Sequence, residues 1–256
     1  MQRFRSTSLA YPILTVAFAA CATTVGQDPL TLATLYTQSS AEFDAAARTT
    51  YTAARLQLEA ALAGELPIGA LEGTGGDPTL PPAVVVDVDE TVLDNSAYEA
   101  RLIEDGDRYP TGWDEWCNEA EAGSVPGALD FVQHADMLGI TVFYVTNRRA
   151  HLEEGTRENL EALGFPMRSD FDVLLMAGER EAWTSDKTSR RAHVAASHRI
   201  VMMAGDNLGD FIPRDAAQGL PDARRRESLR HVERWGRVWF MVPNPMYGYW
   251  DGAVLD

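Results

Sequence analysis

The chain has 256 residues, of which 45% are hydrophobic and 23% are charged, a composition typical of one globular domain that buries a full core. Its formal net charge of −16 argues against binding to nucleic acid polymers, because the overall field repels polyanions. A small phosphate ester could still bind, but it would need local positive charge from a metal ion, a lysine or a helix N-terminus.

The first 20 residues have the pattern of a signal peptide for export. Two arginines form a basic start, Leu9–Ala20 is a short apolar stretch, and Cys21 follows two alanines. The stretch is too short to span a bilayer as a helix. The pattern predicts a lipid anchor on Cys21 and a location in the cell envelope, with the outer membrane favoured. Cleavage nearby without lipid, which would leave the protein periplasmic or secreted, stays open. With Cys21 lipidated, Cys117 is expected to be a free, buried thiol.

Residues 21–31 are predicted to form a tether, and the folded domain is expected to span residues 32–256. Between residues 32 and 63, apolar and alanine side chains recur at helical spacing, which predicts one long helix. Residues 64–82 are rich in Gly, Pro and Thr and are predicted to form a loop.

Beyond this loop, strand-like and helix-like segments alternate. Strands are predicted at residues 83–88, 140–146, 172–176, 200–204 and 237–242. Amphipathic helices are predicted near residues 127–138, 150–163, 186–198 and 223–234. This alternation predicts right-handed βαβ units, and therefore an α/β, Rossmann-like parallel sheet with helices on both faces. An insertion at about 94–125 is predicted to form a small helical cap.

Polar side chains stand at the carboxyl ends of several predicted strands. They are Asp87 and Asp89 after the first strand, Thr146, Asn147 and Arg148 after the second, and Asp206 and Asp210 after the fourth. Lys187, the only lysine of the chain, precedes the helix that follows the third strand. Each residue alone fits a helix cap or a turn. Together they are expected to meet at one edge of the sheet, where ligands bind in such folds.

The acidic members of this set suit a hard cation. Asp87 and Asp89 lie two apart on an extended segment, so their side chains point to one side. With Asp206 they predict an oxygen-rich site of the kind that Mg²⁺ prefers. An EF-hand calcium loop starting at Asp87 is excluded, because Val92 stands where that loop needs glycine.

The order DVDET, VTNR, lone lysine and GDNLGD resembles the haloacid dehalogenase superfamily of phosphohydrolases. More closely, DVDETVLDNSAY, TGWDEWCNEAEAGSVPGA and PNPMYGYW are similar to the secreted, often lipoprotein, class C acid phosphatases and 5′-nucleotidases. The resemblance runs from about Leu32 to Trp250. It implies an exported, Mg²⁺-dependent acid phosphatase that hydrolyses small phosphomonoesters, with nucleoside 5′-monophosphates as candidate substrates.

The same resemblance implies roles for the strand-end residues. Asp87 is expected to attack phosphorus and form an aspartyl phosphate, while Asp89 protonates the leaving alkoxide and later activates water. The transferring oxygens would be held by Thr146, the amide of Asn147 and Lys187. The implied Mg²⁺ ligands are Asp87, the backbone carbonyl of Asp89, and Asp206, which would bind directly or with Asp210 holding a coordinated water.

Specificity is expected to come from aromatic side chains outside this edge. Trp113 and Tyr247 are candidates for a pair between which a nucleobase stacks, although either could instead pack against the cap. Arg148 is a further substrate-binding candidate, and Trp116 is expected to have a structural role. An alternative function is a non-catalytic surface lipoprotein that serves as a binding scaffold on the same fold. Such a scaffold would be expected to lack a catalytic carboxylate, and none is missing. The sequence does not determine the oligomeric state.

Overall fold

A computed structural model of the protein describes residues 28–73 and 77–255. The predicted signal peptide and the predicted lipidation site at Cys21 lie outside the described residues. Within the described residues, no helix is both long enough and apolar enough to cross a membrane.

Five parallel strands form the central sheet. The strands of the chain are β1 (Pro82–Val86), β2 (Leu93–Asp94), β3 (Gly123–Ser124), β4 (Thr141–Arg149), β5 (Leu174–Ala177), β6 (Arg199–Gly205) and β7 (Trp239–Met241). The order across the main sheet is β5-β4-β1-β6-β7, and all of its pairings are parallel. Successive residues of the central strand β1, Val84 to Val86, are all buried. Since neighbouring residues of a strand point to opposite faces, both faces of the sheet are covered, as predicted.

The described part of the chain contains ten α-helices. They are α1 (Pro29–Ser39), α2 (Ala41–Leu62), α3 (Ser96–Asp105), α4 (Trp113–Glu119), α5 (Ala128–Met137), α6 (Glu153–Leu163), α7 (Thr188–Ala195), α8 (Arg214–Ala217), α9 (Pro221–Leu229) and α10 (Tyr249–Leu255). α2 packs on α5 and on strands β6 and β7, while α7 packs on β4 and β6. The predicted α/β architecture is therefore confirmed.

The N-terminal helical region differs from the sequence prediction in two ways. The predicted single helix is broken into α1 and α2, because Ser40 adopts an extended conformation and its hydroxyl accepts a hydrogen bond from the Phe43 amide at 3.1 Å. The predicted tether is also too long. Helix α1 begins at Pro29, with Asp28 as its N-cap, and proline at the first helical position favours this start.

Strand β1 ends at Val86, two residues earlier than predicted. The carbonyl of Val88 accepts hydrogen bonds from the amides of Val92 and Leu93, both at 2.9 Å. The chain therefore turns immediately after Asp87. The remaining strands and helices of the alternating region appear in the predicted order, with ends that shift by a few residues.

The predicted cap consists of two helices on a short stem. Strands β2 and β3 pair antiparallel at the two ends of the insertion, and α3 and α4 lie between them. Trp116 is 3% exposed, and its indole N–H donates to Asn95 Oδ1 at 2.8 Å, so its predicted structural role is confirmed. Cys117 is buried, as predicted, and it forms no disulfide within the described residues.

Candidate active site

Three carboxylates and one ammonium group meet at the carboxyl edge of the sheet. Asp87, Asp206 and Asp210 each offer a carboxylate oxygen, and these oxygens lie within 4.8 Å of one another. Lys187 Nζ donates to Asp87 Oδ1 and, at 2.6 Å, to Asp210 Oδ1. Residues that are up to 123 positions apart along the chain, Asp87 and Asp210, thus form one cluster because parallel strands β1 and β6 end side by side.

The loop after β6 is shaped by its own side chains. Asp210 Oδ2 accepts a hydrogen bond from the Asn207 amide at 2.8 Å, and Asn207 Oδ1 accepts one from the Gly209 amide at 3.3 Å. A side chain at Gly205 would overlap the carboxylate of Asp210, so glycine is required where the strand ends. These contacts fix Asp210 against Lys187.

Two further residues hold the acidic cluster from outside. Asn244 donates to Asp206 Oδ2 at 2.8 Å. The fully buried guanidinium of Arg191 donates to the Asp210 carbonyl at 2.9 Å and forms an ion pair with Glu72 at 2.7 Å. The loop is therefore anchored both to α7 and to the segment before β1.

The cluster has an excess of negative charge. The pKa of Asp87 is raised to about 7, chiefly by burial; Lys187 opposes the shift, while Asp210 and Asp89 add to it. Burial, together with Asp210 and Asp87, also raises the pKa of Asp206 well above its usual range. Burial alone would lower the pKa of Lys187, but Asp210 and Asp87 outweigh it and raise the pKa. Lys187 is thus cationic, and it binds two of the three acids, Asp87 and Asp210.

This excess of charge fits a divalent cation. Three clustered carboxylates supply hard oxygen ligands, which are the ligands of Mg²⁺ and similar ions. Both oxygens of Asp210 already accept hydrogen bonds, from Lys187 and from Asn207, and this suits the predicted alternative in which Asp210 contacts the ion through a water. The carboxylate of Asp89 is not in the cluster.

Asp89 instead belongs to a neighbouring hydrogen-bond network. Its Oδ1 accepts bonds from Arg148 Nε and from Asn95 Nδ2, both at 2.9 Å. The Arg148 guanidinium is 2% exposed and also donates to Thr156 and Asn95, each at 3.1 Å. The following residue, Glu90, has a φ of 56°, a conformation that non-glycine residues rarely adopt. The carboxylate of Asp89 therefore points away from the cluster of Asp87, Asp206 and Asp210, and it lies at the base of the cap.

Arg148 lines the cavity as expected for a substrate-binding residue, but its guanidinium is occupied by the contacts just described. The structure thus gives Arg148 a positioning role towards Asp89. A direct contact of Arg148 with substrate stays a prediction.

The two residues predicted to hold phosphoryl oxygens lie at the end of β4. Asn147 lines the cavity, whereas Thr146 is fully buried and its Oγ1 accepts a hydrogen bond from the Arg148 amide at 3.0 Å. Arg190 on α7 donates to the Thr146 carbonyl and, at 2.6 Å, to Asn147 Oδ1. Arg190 therefore holds the end of β4 in place from the side of α7. The contact of Thr146 with phosphate stays a prediction.

A cavity of about 470 Å³ opens over the cluster. Its lining contains Asp87, Asp89, Lys187, Asp206 and Asp210 together with the aromatic side chains Tyr109, Trp113, Tyr247 and Tyr249. Trp113 and Tyr247, which come from the cap and from the C-terminal segment, thus lie at the same cavity as the predicted nucleophile. Trp113 packs edge-on against Tyr109, with ring centroids 5.8 Å apart. The cavity volume lies within the range of about 300–1,000 Å³ that is typical of small-ligand pockets.

Comparison with known proteins agrees with this geometry. Residues 31–250 match the family described as HAD superfamily, subfamily IIIB (Acid phosphatase). The chain belongs to this family. The structure of the class C acid phosphatase from Bacillus anthracis is 34% identical, with 88% of each chain covered and a TM-score of 0.76. A structure of the class C acid phosphatase from Bacillus anthracis with tungstate bound is 33% identical, also covers 88% of each chain, and has a TM-score of 0.75.

This acid phosphatase is a phosphomonoesterase, and the family resemblance seen in the sequence is confirmed. The non-catalytic scaffold is therefore set aside. Sequence reasoning missed several residues of the site, namely Asn95, Tyr109, Arg190, Arg191 and Asn244. Arg190 and Arg191 stand one turn after Lys187 on the same helix, so helical spacing could have indicated them. No local pattern indicates Asn244, because its contact with Asp206 depends on the path of the C-terminal segment.

Proposed function

We propose that this acid phosphatase is an exported, Mg²⁺-dependent enzyme that hydrolyses small phosphomonoesters, including nucleoside 5′-monophosphates, through an aspartyl-phosphate intermediate. The observation that carries the proposal is the meeting of Asp87, Lys187 and two further carboxylates at the base of a cavity with aromatic sides. The carboxylates and Lys187 supply the chemistry of phosphoryl transfer, and the aromatic side chains form the part of the cavity that would bind the organic part of the ester.

In this proposal Asp87 attacks phosphorus as the nucleophile and the ester oxygen leaves with a proton from Asp89. Asp89 then removes a proton from the water that hydrolyses the acyl phosphate. Lys187 neutralises both Asp87 and a phosphoryl oxygen. A bound Mg²⁺, held by Asp87, Asp206 and Asp210, would supply the positive charge that lets a dianionic ester approach three acids. The tungstate in the Bacillus anthracis structure is a tetrahedral oxyanion, and this supports an anion site in the same fold.

Export and lipidation are proposed on the N-terminal sequence alone. The pattern that ends at Cys21 supports a lipoprotein of the cell envelope.

The proposal predicts that hydrolysis of p-nitrophenyl phosphate depends on a divalent cation. EDTA is expected to abolish turnover, because the acidic cluster then repels the substrate. Added Mg²⁺ is expected to restore it. Release of p-nitrophenol measures the rate before and after each addition. Turnover that persists unchanged in EDTA would show that Lys187 alone provides the required charge.

The nucleotidase part of the proposal predicts a substrate-dependent effect of Tyr247→Ala. Stacking of a base on an aromatic ring is worth about 1–3 kcal/mol, so kcat/KM for a nucleoside 5′-monophosphate is expected to fall about 5- to 150-fold. A much smaller loss is expected for glycerol phosphate, which has no flat group. Tyr36→Ala, which removes a partly exposed ring on α1, is the control. Equal losses on both substrates would reduce Tyr247 to a structural residue.

A further inference from the structure

One acidic side chain in the cavity has no role in the mechanism above. Glu99 lies in the first turn of α3, is 6% exposed and lines the cavity. Among the described residues its carboxyl group has no hydrogen-bond partner, and burial alone raises its pKa to about 7. A buried carboxyl group without a partner costs free energy. By contrast, Glu104 on the same helix is exposed to solvent, so α3 has a face on which an acid would cost nothing.

Glu99 lies close to the residues that would contact the leaving group of the reaction. Asn95, which donates to the carboxylate of Asp89, stands one helical turn before Glu99. The Glu99 amide donates to the Asn95 carbonyl at 3.2 Å, and residues four apart on a helix lie on the same face. Glu99 is therefore next to the network of the proposed leaving-group acid.

When Glu99 is ionised, its charge disfavours a contact with the phosphoryl group. A carboxylate repels the phosphate dianion, and the cation that would offset this repulsion is held at the other group of carboxylates, Asp87, Asp206 and Asp210. An ionised carboxyl group only accepts hydrogen bonds, so what it can stabilise is a hydrogen-bond donor. Trp113, on the same cap, also lines the cavity. The hydrogen-bond donor would therefore belong to the alcohol part of a substrate that binds between the cap and the sheet edge.

We propose that Glu99 is a specificity-determining residue that accepts a hydrogen bond from the leaving group, and so selects phosphomonoesters whose alcohol carries a hydroxyl or ammonium group. The inference rests on the proposed function, since it takes Asp89 as the leaving-group acid. It deepens that function by stating the chemical class of the alcohol. The alcohols of a sugar phosphate and of an amino-alcohol phosphate share the required donor.

The test compares kcat/KM for three esters of similar size, namely propyl phosphate, glycerol 1-phosphate and phosphoethanolamine. Wild-type enzyme is expected to prefer at least one donor-bearing ester over propyl phosphate by about tenfold or more, as for a hydrogen bond to a charged group. Glu99→Ala is expected to remove most of this preference. Glu104→Ala, the matched control on the exposed face of α3, is expected to keep it.

Glu99→Gln separates the two sources of the donor. Glutamine keeps an acceptor oxygen but has no charge, so a preference for glycerol 1-phosphate that survives in this variant supports a hydroxyl. A preference for phosphoethanolamine that is lost in it supports an ammonium group. Thermal melting of each variant shows whether it is folded.

Two results would overturn the inference. One is a wild-type enzyme that does not distinguish the three esters, and the other is a folded Glu99→Ala enzyme with wild-type preferences. The proposed function fails differently, by an absence of Mg²⁺-dependent turnover of any ester in the wild-type enzyme.

Discussion

Asp87→Asn is expected to reduce turnover of p-nitrophenyl phosphate by about 10⁴-fold or more, as for loss of a catalytic nucleophile. The amide oxygen of asparagine is too weak a nucleophile to form the acyl phosphate. No other carboxylate replaces Asp87 in the described site, because Asp206 and Asp210 are held by Asn244 and Lys187, and Asp89 is turned towards Arg148.

The variant is expected to stay folded. Lys187 keeps its bond to Asp210 at 2.6 Å, and the substitution relieves the crowding of buried acids that raises the pKa of Asp206. Far-ultraviolet circular dichroism and a melting curve check this, with the exposed Asp105→Asn on α3 as a control for the same chemical change. A folded Asp87→Asn enzyme with a substantial fraction of the wild-type rate would exclude Asp87 as the nucleophile.

The sequence alone was enough to predict the sheet edge and its charged residues. Buried strands have long apolar patterns, and polar residues that follow several such strands in one parallel sheet must be close together. Asp87, Lys187, Asp206 and Asp210 were placed correctly by this reasoning, without any knowledge of side-chain contacts.

The sequence was less informative about features that depend on contacts between distant parts of the chain or on the local backbone conformation. The break at Ser40 interrupts a continuous apolar pattern, and only the capping bond to the Phe43 amide reveals it. Arg148 was predicted only as a substrate-binding residue, and the bond from its buried guanidinium to Asp89 could not be read from the sequence. Glu99 gave no signal, because an acid on an amphipathic helix normally faces solvent.

Lys187→Arg is expected to lower kcat/KM by about 10²- to 10³-fold, the usual effect of removing one preorganised electrostatic contact, and so to behave like Lys187→Ala in activity. Lys187 is 4% exposed, and its ammonium group lies between two carboxylates, one of which must also face phosphorus. A guanidinium group is planar, larger and limited to donors in a fixed fork. It cannot occupy the place of a single ammonium without displacing Asp87 or the phosphoryl oxygen. The reverse exchange at an exposed position, Arg168→Lys, is the control.

Measurements of stability distinguish the effect of the positive charge of Lys187 from the effect of its shape. Lys187→Ala leaves two buried acids, Asp87 and Asp210, without their cation, and breaking a buried ion pair in this way is expected to lower the free energy of unfolding by about 3–5 kcal/mol when measured in EDTA. Lys187→Arg keeps the positive charge, so it is expected to lose less of this stability while its activity stays as low as that of Lys187→Ala. Urea unfolding and p-nitrophenyl phosphate hydrolysis on the same preparations give both quantities. If arginine restored activity together with stability, positive charge alone would be sufficient at this position. The geometric requirement for the one lysine of the chain would then be wrong.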